Sequence, residues 1–224
     1  VTRRGGVIPN VERVIEAGPH ARPFEVPSHC PACGSPAVRT KKREGEFLFC
    51  SQPKKCVQAR LGELEHFAKV VDIQGFGPKV ISAAVDAGLL STPADFYTLR
   101  AEDLGELERL GEKSAQNLID QIEAHRELSL AVFLQALGVE HLGKQNAQLL
   151  AGEFETLQRI LGLERDDLMT VKGIKDAIAD AIVDGLKARS ELVDALLRHV
   201  KVAKGEKPEP VAGGALTGKS FVFT

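Results

Sequence analysis

A chain of 224 residues, 43% hydrophobic and 27% charged, can form one or two globular domains, and its net charge of −2 does not mark a polyanion binder. No apolar run approaches the roughly twenty residues that a bilayer-spanning helix needs, and no basic-then-apolar start suggests an export signal. The charge is unevenly spread: residues 1–60 carry 11 Lys and Arg against 5 Asp and Glu, a net of +6, while residues 61–224 carry 18 against 26, a net of −8. The basic end can face a polyanion, although TKKREGE (residues 40–46) alone reads equally well as a solvated loop. The chain begins at Val1 rather than Met and stops at GKSFVFT, which reads as the middle of a strand. A piece of a longer protein, cut at both ends, is therefore expected.

The first segment, RRGGVIPNVERVI (residues 3–15), has β character around Val7–Ile8 and Val11–Ile15, with glycines at a bend. It reads as the last strands of a β-barrel.

All four cysteines follow within HCPACGSPAVRTKKREGEFLFCSQPKKC (residues 29–56). Cys30 and Cys33 are separated by two residues, Cys50 and Cys56 by five, and sixteen residues lie between the pairs. Two thiol pairs joined by a short excursion suit a tetrahedral zinc site, because each pair supplies two ligands from one turn. Pro31 restricts the first turn, Gly34 lets backbone amides approach the sulphurs, and EFLFC alternates like a strand delivering Cys50. The five-residue loop is longer than the commonest knuckle. Two disulfides would need an oxidising compartment, and a redox Cys-x-x-Cys usually sits in a βαβ context that is not evident here. Four thiolates close the metal's shell, so the expected ion is structural. His29 reads as a surface neighbour, and His20, His66, His125, His141 and His199 show no ligand spacing. About thirty residues bury little core, so the ion would do the folding work.

After Cys56 the pattern turns helical: Leu61, Leu64, Ala68 and Val71 recur at helical spacing. In DIQGFGPKVISAAV, Gly75 and Gly77 flank one apolar residue, and Pro78 suits the first position of a helix running to Gly88. Similar units return in ELERLGEKSAQNLIDQI at Gly111, LGVEHLGKQNAQLLA at Gly143, and LMTVKGIKDAIADAIV at Gly173 and Lys175. The equivalent positions 77, 111, 143 and 175 are 34, 32 and 32 residues apart, a spacing that signals an internal repeat. One such glycine is usually just a turn; four in register, each before an Ala- and Ile/Leu-rich helix, predict tandem helix-hairpin-helix units. Val80, Ile81, Leu118, Ile119, Leu149, Leu150, Ile178 and Ile182 read as their core.

The hairpin glycines are expected to permit φ > 0 and to leave no side chain in the way. The helix that follows presents unpaired amides, which together with the helix dipole can bind a phosphate oxygen. Lys79, Lys113 and Lys144 add charge there, though each reads equally as a solvated surface residue. Such binding does not read bases. The copies are unequal: Arg109 and His141 replace the first glycine in the second and third, and Lys175 replaces the second glycine in the fourth, which is the weakest expected phosphate binder. KVAKGEKPEPVAGG (residues 201–214) reads as a linker, and LTGKSFVFT (residues 216–224) as the first strand of a new domain.

Taken in order, GGVIPNV, RPFEVPSHCPACGSP, DIQGFGPK, LGEKSAQNL, ALGVEHLGKQNAQLL and LTGKSFVFT resemble the C-terminal half of bacterial NAD⁺-dependent DNA ligases along essentially the whole chain. The resemblance implies a mainly α fold: the end of an OB-fold (1–22), a four-cysteine zinc finger (23–58), a domain of four helix-hairpin-helix motifs (59–200), a linker (201–214) and the first strand of a truncated BRCT domain (215–224). Two departures stand out. RRGGVIP has Gly6 where the family has an acidic residue, and QPKKCVQA lacks the family's proline beside Cys56.

By resemblance, the parent enzyme seals nicks in duplex DNA during replication and repair: NAD⁺ adenylates a lysine, AMP moves to the 5′-phosphate, and the 3′-hydroxyl attacks. That lysine lies in a KxDG motif, which this chain lacks. The expected catalytic set is therefore empty, the expected cofactor here is Zn²⁺ on Cys30, Cys33, Cys50 and Cys56, and the NAD⁺ and Mg²⁺ sites lie mostly elsewhere. Expected DNA contacts are Gly75, Phe76, Gly77 and Lys79; Leu110, Gly111, Lys113 and Ser114; Leu142, Gly143 and Lys144; Gly173 and Lys175; and Arg3 and Arg4. The implied partner is nicked double-stranded DNA, with no membrane, for a monomer in the bacterial cytoplasm near the nucleoid. The alternatives are a helix-hairpin-helix module of another repair protein, such as a nuclease, and a zinc-stabilised interaction scaffold without salt-dependent DNA affinity.

Overall fold

Apolar residues three and four apart dominate the chain after Cys56, and the described residues there are mainly helical; the described residues before it form short strands and one 3-10 turn, Pro53–Lys55. The computed structural model describes residues 1–205 apart from 14, 17, 23, 43, 44 and 109. The expected BRCT strand and most of the expected linker lie outside the described residues. The chain divides into two units, Val1–Gln52 and the part from Pro53 onward.

In the first unit, β1 (Thr2–Arg4) and β2 (Ile8–Asn10) pair antiparallel, with Arg4 opposite Ile8. Gly5 and Gly6, both at positive φ, make the reversal. The expected β segment at Val11–Ile15 is not a strand among its described residues, and Val11 and Ile15 are exposed. Branched side chains favour strands only where a sheet face receives them. β3 (Ala37–Lys42) and β4 (Gly45–Cys50) form a second antiparallel hairpin, with Ala37 opposite Cys50 and Val38 opposite Phe49.

The second unit is helical. Its elements are α1 (Val57–Val71), α2 (Pro78–Asp86), α3 (Ala101–Gly105), α4 (Glu112–Ala124), α5 (Leu130–Ala136), α6 (Lys144–Phe154), α7 (Leu157–Leu161), α8 (Arg165–Met169), α9 (Asp176–Ala188) and α10 (Ser190–Leu197). α1 packs on α2, α3 on α4, α5 on α6 and α8 on α9, so each sequence repeat is a helix pair closed by a hairpin. A continuous apolar core holds the pairs together. At its centre Phe67 stacks on Phe96 with ring centroids 5.8 Å apart, and Phe76, from the first hairpin, meets Phe96 edge-on at 5.0 Å.

Of the residues expected in the core, Ile81, Leu118, Leu150 and Ile182 are buried, and Val80, Ile119 and Ile178 pack partly buried against them. Leu149 differs, being 37% exposed. The buried stripe of α6 is Ala147, Leu150, Ala151 and Phe154, and position 149 is rotated about 100° from Leu150.

The two halves of the helical unit are tied at several points. His66 of α1 and the carbonyl of Gln135 lie 2.9 Å apart, and Arg189 forms an ion pair with Glu63. Arg126 donates to Glu123 (2.6 Å) and to the carbonyls of Tyr97 and His199 (3.2 Å each). Residues 201–205, expected to open the linker, are docked. β6 (Lys201–Val202) pairs parallel with β5 (Glu127–Leu128), and the Gly205 amide donates to the Glu155 carbonyl at 2.8 Å.

Candidate functional site

The first cysteine pair sits on a tight loop. The Gly34 amide donates to the Cys30 carbonyl (2.8 Å), the Cys30 amide donates to the Ser35 carbonyl (2.7 Å), and Gly34 takes φ 70. Cys50 ends β4, and Cys56 is the residue before α1, its amide donating to the Pro53 carbonyl at 3.1 Å. The four sulphurs all lie within 4.8 Å of one another, and Cys33 Sγ and Cys50 Sγ are 3.4 Å apart. No disulfide joins them. Zn–S bonds of about 2.3 Å at tetrahedral angles place sulphurs roughly 3.8 Å apart, so this cluster can hold one such ion.

The electrostatics favour the same use. Hydrogen bonds from the Ser35 side chain and amide hold the Cys33 thiol down at about 6. The Gln52 amide, which donates to Cys50 Sγ at 3.4 Å, pulls the Cys50 thiol the same way, but desolvation and the neighbouring Cys33 and Cys30 thiols push it up to about 11. Crowded thiols resist ionising together, and a divalent cation removes that conflict. His29 lies outside the cluster, its Nδ1 paired with the Ser28 hydroxyl at 3.0 Å. Among the described residues no other group of three or more His, Cys, Asp or Glu side chains converges in this way.

The hairpins share one backbone pattern. The residues before α2, α4, α6 and α9 are Gly77 (φ −75°, ψ 170°), Gly111 (−84°, 163°), Gly143 (−74°, −179°) and Lys175 (−115°, 169°). All four are extended, and none receives a side-chain cap. Two residues earlier stands a corner at positive φ: Gly75 at 91°, His141 at 63° and Gly173 at 99°. The equivalent Arg109 lies outside the described residues. Between corner and cap, Phe76, Leu142 and Ile174 are buried and Leu110 is partly buried. Their side chains anchor the turn in the core.

This pattern corrects the expectation that both hairpin glycines use φ > 0. Only the corner does. At the cap position a Cβ on Gly77, Gly111 or Gly143 meets nothing within 4 Å, and Lys175 occupies that position in the fourth copy. The corner also survives without glycine, since His141 adopts it, with Asn146 Nδ2 donating to its carbonyl at 2.7 Å. Among non-glycine residues His is one of the more tolerant of this region.

Lys79 and Lys113 are second residues of their helices, Lys144 is a first residue and Lys175 a cap; all four are exposed, as is Ser114. Sequence reading passed over the acidic first residues Glu112 of α4 and Asp176 of α9. Asp176 pairs with Arg165, which also reaches Asp180 at 2.9 Å. Acids in a first turn are ordinary helix chemistry, so their position beside the hairpins gave no signal. Arg3 and Arg4 lie on β1. No helix among the described residues is long and apolar enough to cross a membrane.

Comparison with known proteins finds these features elsewhere. The family model described as "SAM-like Helix-hairpin-helix tandem" matches residues 67–124, and that described as "Helix-hairpin-helix motif" matches residues 132–191. The first match spans the hairpins at 75 and 109, the second those at 141 and 173. Proteins named DNA ligase are similar along the whole chain. That of Haloarcula marismortui is 38% identical over 100% of this chain and 32% of its own length. Those of Pelotomaculum thermopropionicum (38%, 100% and 33%) and Syntrophotalea carbinolica (39%, 100% and 34%) are alike. The chain spans about a third of the length of the curated relatives it matches. From end to end, this mainly α chain of tandem helix-hairpin-helix units is similar to about a third of these DNA ligases.

Proposed function

We propose that this chain is the DNA-gripping portion of an NAD⁺-dependent DNA ligase that seals nicks in duplex DNA during replication and repair. One observation carries the reading: the same exposed, uncapped helix start recurs at Gly77, Gly111, Gly143 and Lys175. First-turn amides without an internal partner, at the positive end of a helix dipole, suit phosphate oxygens. Lys79 and Lys144 add charge at the first and third hairpins. At the second and fourth, Glu112 and Asp176 oppose it, and Lys113 and Lys175 offset that opposition. The contacts go to the backbone, so binding is independent of sequence.

In the same reading, Cys30, Cys33, Cys50 and Cys56 hold a structural Zn²⁺ that folds the finger around them. Arg3 and Arg4 add a basic contact from the end of an OB-fold. Adenylation by NAD⁺ and the Mg²⁺ chemistry belong to another part of the enzyme, which acts as a monomer in the cytoplasm near the nucleoid. The test is a fluorescence titration of the chain against two unrelated nicked duplexes at several salt concentrations. Equal affinities that fall steeply with salt are expected. No binding at low salt, or a strong preference for one duplex, would sink the reading.

A further inference from the structure

Three alternate amides of the segment after α10 are committed to distant main chain. Lys201 donates to the Arg126 carbonyl, Ala203 to the Leu128 carbonyl and Gly205 to the Glu155 carbonyl, each at 2.8 Å. Val200 is buried, and Val202 packs against the core. Gly205 comes so close to α6 that a Cβ there would run into the Ala151 carbonyl. A solvated linker makes no such commitments.

The segment reaches from one half of the helical unit to the other. Its start is held by the first half: Arg126 donates to the carbonyls of His199 and Tyr97 (3.2 Å each), and the Tyr97 and His199 rings stack with centroids 6.3 Å apart. Its middle pairs with β5, directly before α5, and its end meets α6 and the residue that caps it, Glu155. Both the segment and β5 fall outside the stretches matched by the two family models, residues 67–124 and 132–191. They are an addition to the repeats.

The short helix α5 shows what the addition does. It has seven residues, about 10 Å of helix, and it pairs with α6 to carry the third hairpin. Its C-terminal end is tied to α1 through His66, 2.9 Å from the Gln135 carbonyl. A single tie at one end sets a position but not a direction. The bond from Ala203 to Leu128, two residues before α5, holds the other end, and two ties fix the axis.

We propose that residues 199–205 are a clasp that fixes α5, and with it the third hairpin, in orientation relative to the first two. The functional part rests on the reading of the hairpins as phosphate grips. Clasped, the hairpins meet one duplex as a unit; unclasped, the chain must first reorder α5, and only that fraction of molecules is competent to bind.

The experiment compares the 224-residue chain with Ala203→Pro, which has no amide for Leu128, with Gly205→Val, which collides with Ala151, and with Lys204→Ala as a control at an exposed position of the same segment. Amide hydrogen exchange over residues 127–136 should quicken about tenfold in the two clasp variants, with α2 and the control unchanged. The Kd of the clasp variants for a nicked duplex should weaken about five- to tenfold, with an unchanged slope of log Kd against log salt, because the bound state keeps every phosphate contact. Unchanged exchange in both clasp variants overturns the proposal. So does exchange that rises equally in all helices, which would make the segment a general support. A loosened α5 with an unaltered Kd, or with a shallower salt slope, overturns the positioning role while the phosphate-grip reading stands. A wild-type chain that binds no duplex removes the grip reading, and exchange alone then decides the clasp.

Discussion

Gly75 and Leu118 meet across the first two repeats: a Cβ on Gly75 would come within 2.7 Å of Leu118 Cδ2, and the backbone there stands at φ 91°. The corner of the first hairpin is thus closed to side chains twice over, by its own dihedral and by α4. Gly75→Ala should destabilise the chain by about 1–3 kcal/mol. Gly77→Ala, at φ −75° with open space around it, should stay within about 0.5 kcal/mol of wild type. Urea unfolding followed by circular dichroism separates the two, and equal losses at both positions would refute the corner-and-cap assignment.

The four sulphurs within 4.8 Å of one another predict one zinc per chain after purification without added metal. Elemental analysis checks it. Cys33→Ser should abolish the stoichiometry and loosen the finger while leaving the helical signal largely intact, because the helices have their own core. Acidification should release the ion, since protons compete with it for the thiolates. A folded, reduced chain with no zinc at neutral pH would contradict the assignment.

Arg126 is expected to be a stability residue. Its guanidinium donates to Glu123, to Tyr97 O and to His199 O, and lies 5.5 Å from the Tyr97 ring centroid. The Glu123 hydrogen bond raises the arginine's proton affinity and lowers that of the carboxylate. Arg126→Ala should cost about 1–3 kcal/mol. Lysine cannot reproduce a planar fork, so Arg126→Lys should recover only part of it, as read by thermal unfolding at neutral pH.

Charge at the helix starts should set the salt response. If Lys79 neutralises one phosphate, Lys79→Ala lowers the slope of log Kd against log salt by about one. Glu112→Gln removes an acid from the second hairpin and should tighten binding at low salt, with the difference fading as salt screens it. Titrations of both variants on one duplex over a range of salt test the pair; a Glu112→Gln variant that binds more weakly would place the second hairpin away from DNA.

Incubation with NAD⁺ and Mg²⁺ should leave the chain's mass unchanged, because it has no KxDG lysine. An AMP adduct seen by mass spectrometry would mean that part of the nucleotidyl chemistry resides here.

The sequence by itself determined the four thiols, the repeat and the helix starts. Thiol spacing and the punctuation of Gly77, Gly111, Gly143 and Lys175 are local properties, and local chemistry decides where a helix begins. Periodicity likewise marked Ile81, Leu118, Leu150 and Ile182 as core. Tertiary structure decided which hairpin residue carries positive φ, since that depends on how Phe76, Leu142 and Ile174 anchor the turn in the core. It decided that Leu149 faces outward and that Val11 and Ile15 form no strand, because burial needs a partner surface that a residue's own type does not supply. It also decided that residues 201–205 lie against Glu127–Leu128 and Glu155. Polar composition reads as linker, while backbone hydrogen bonding to a distant edge leaves no trace in the residues that make it.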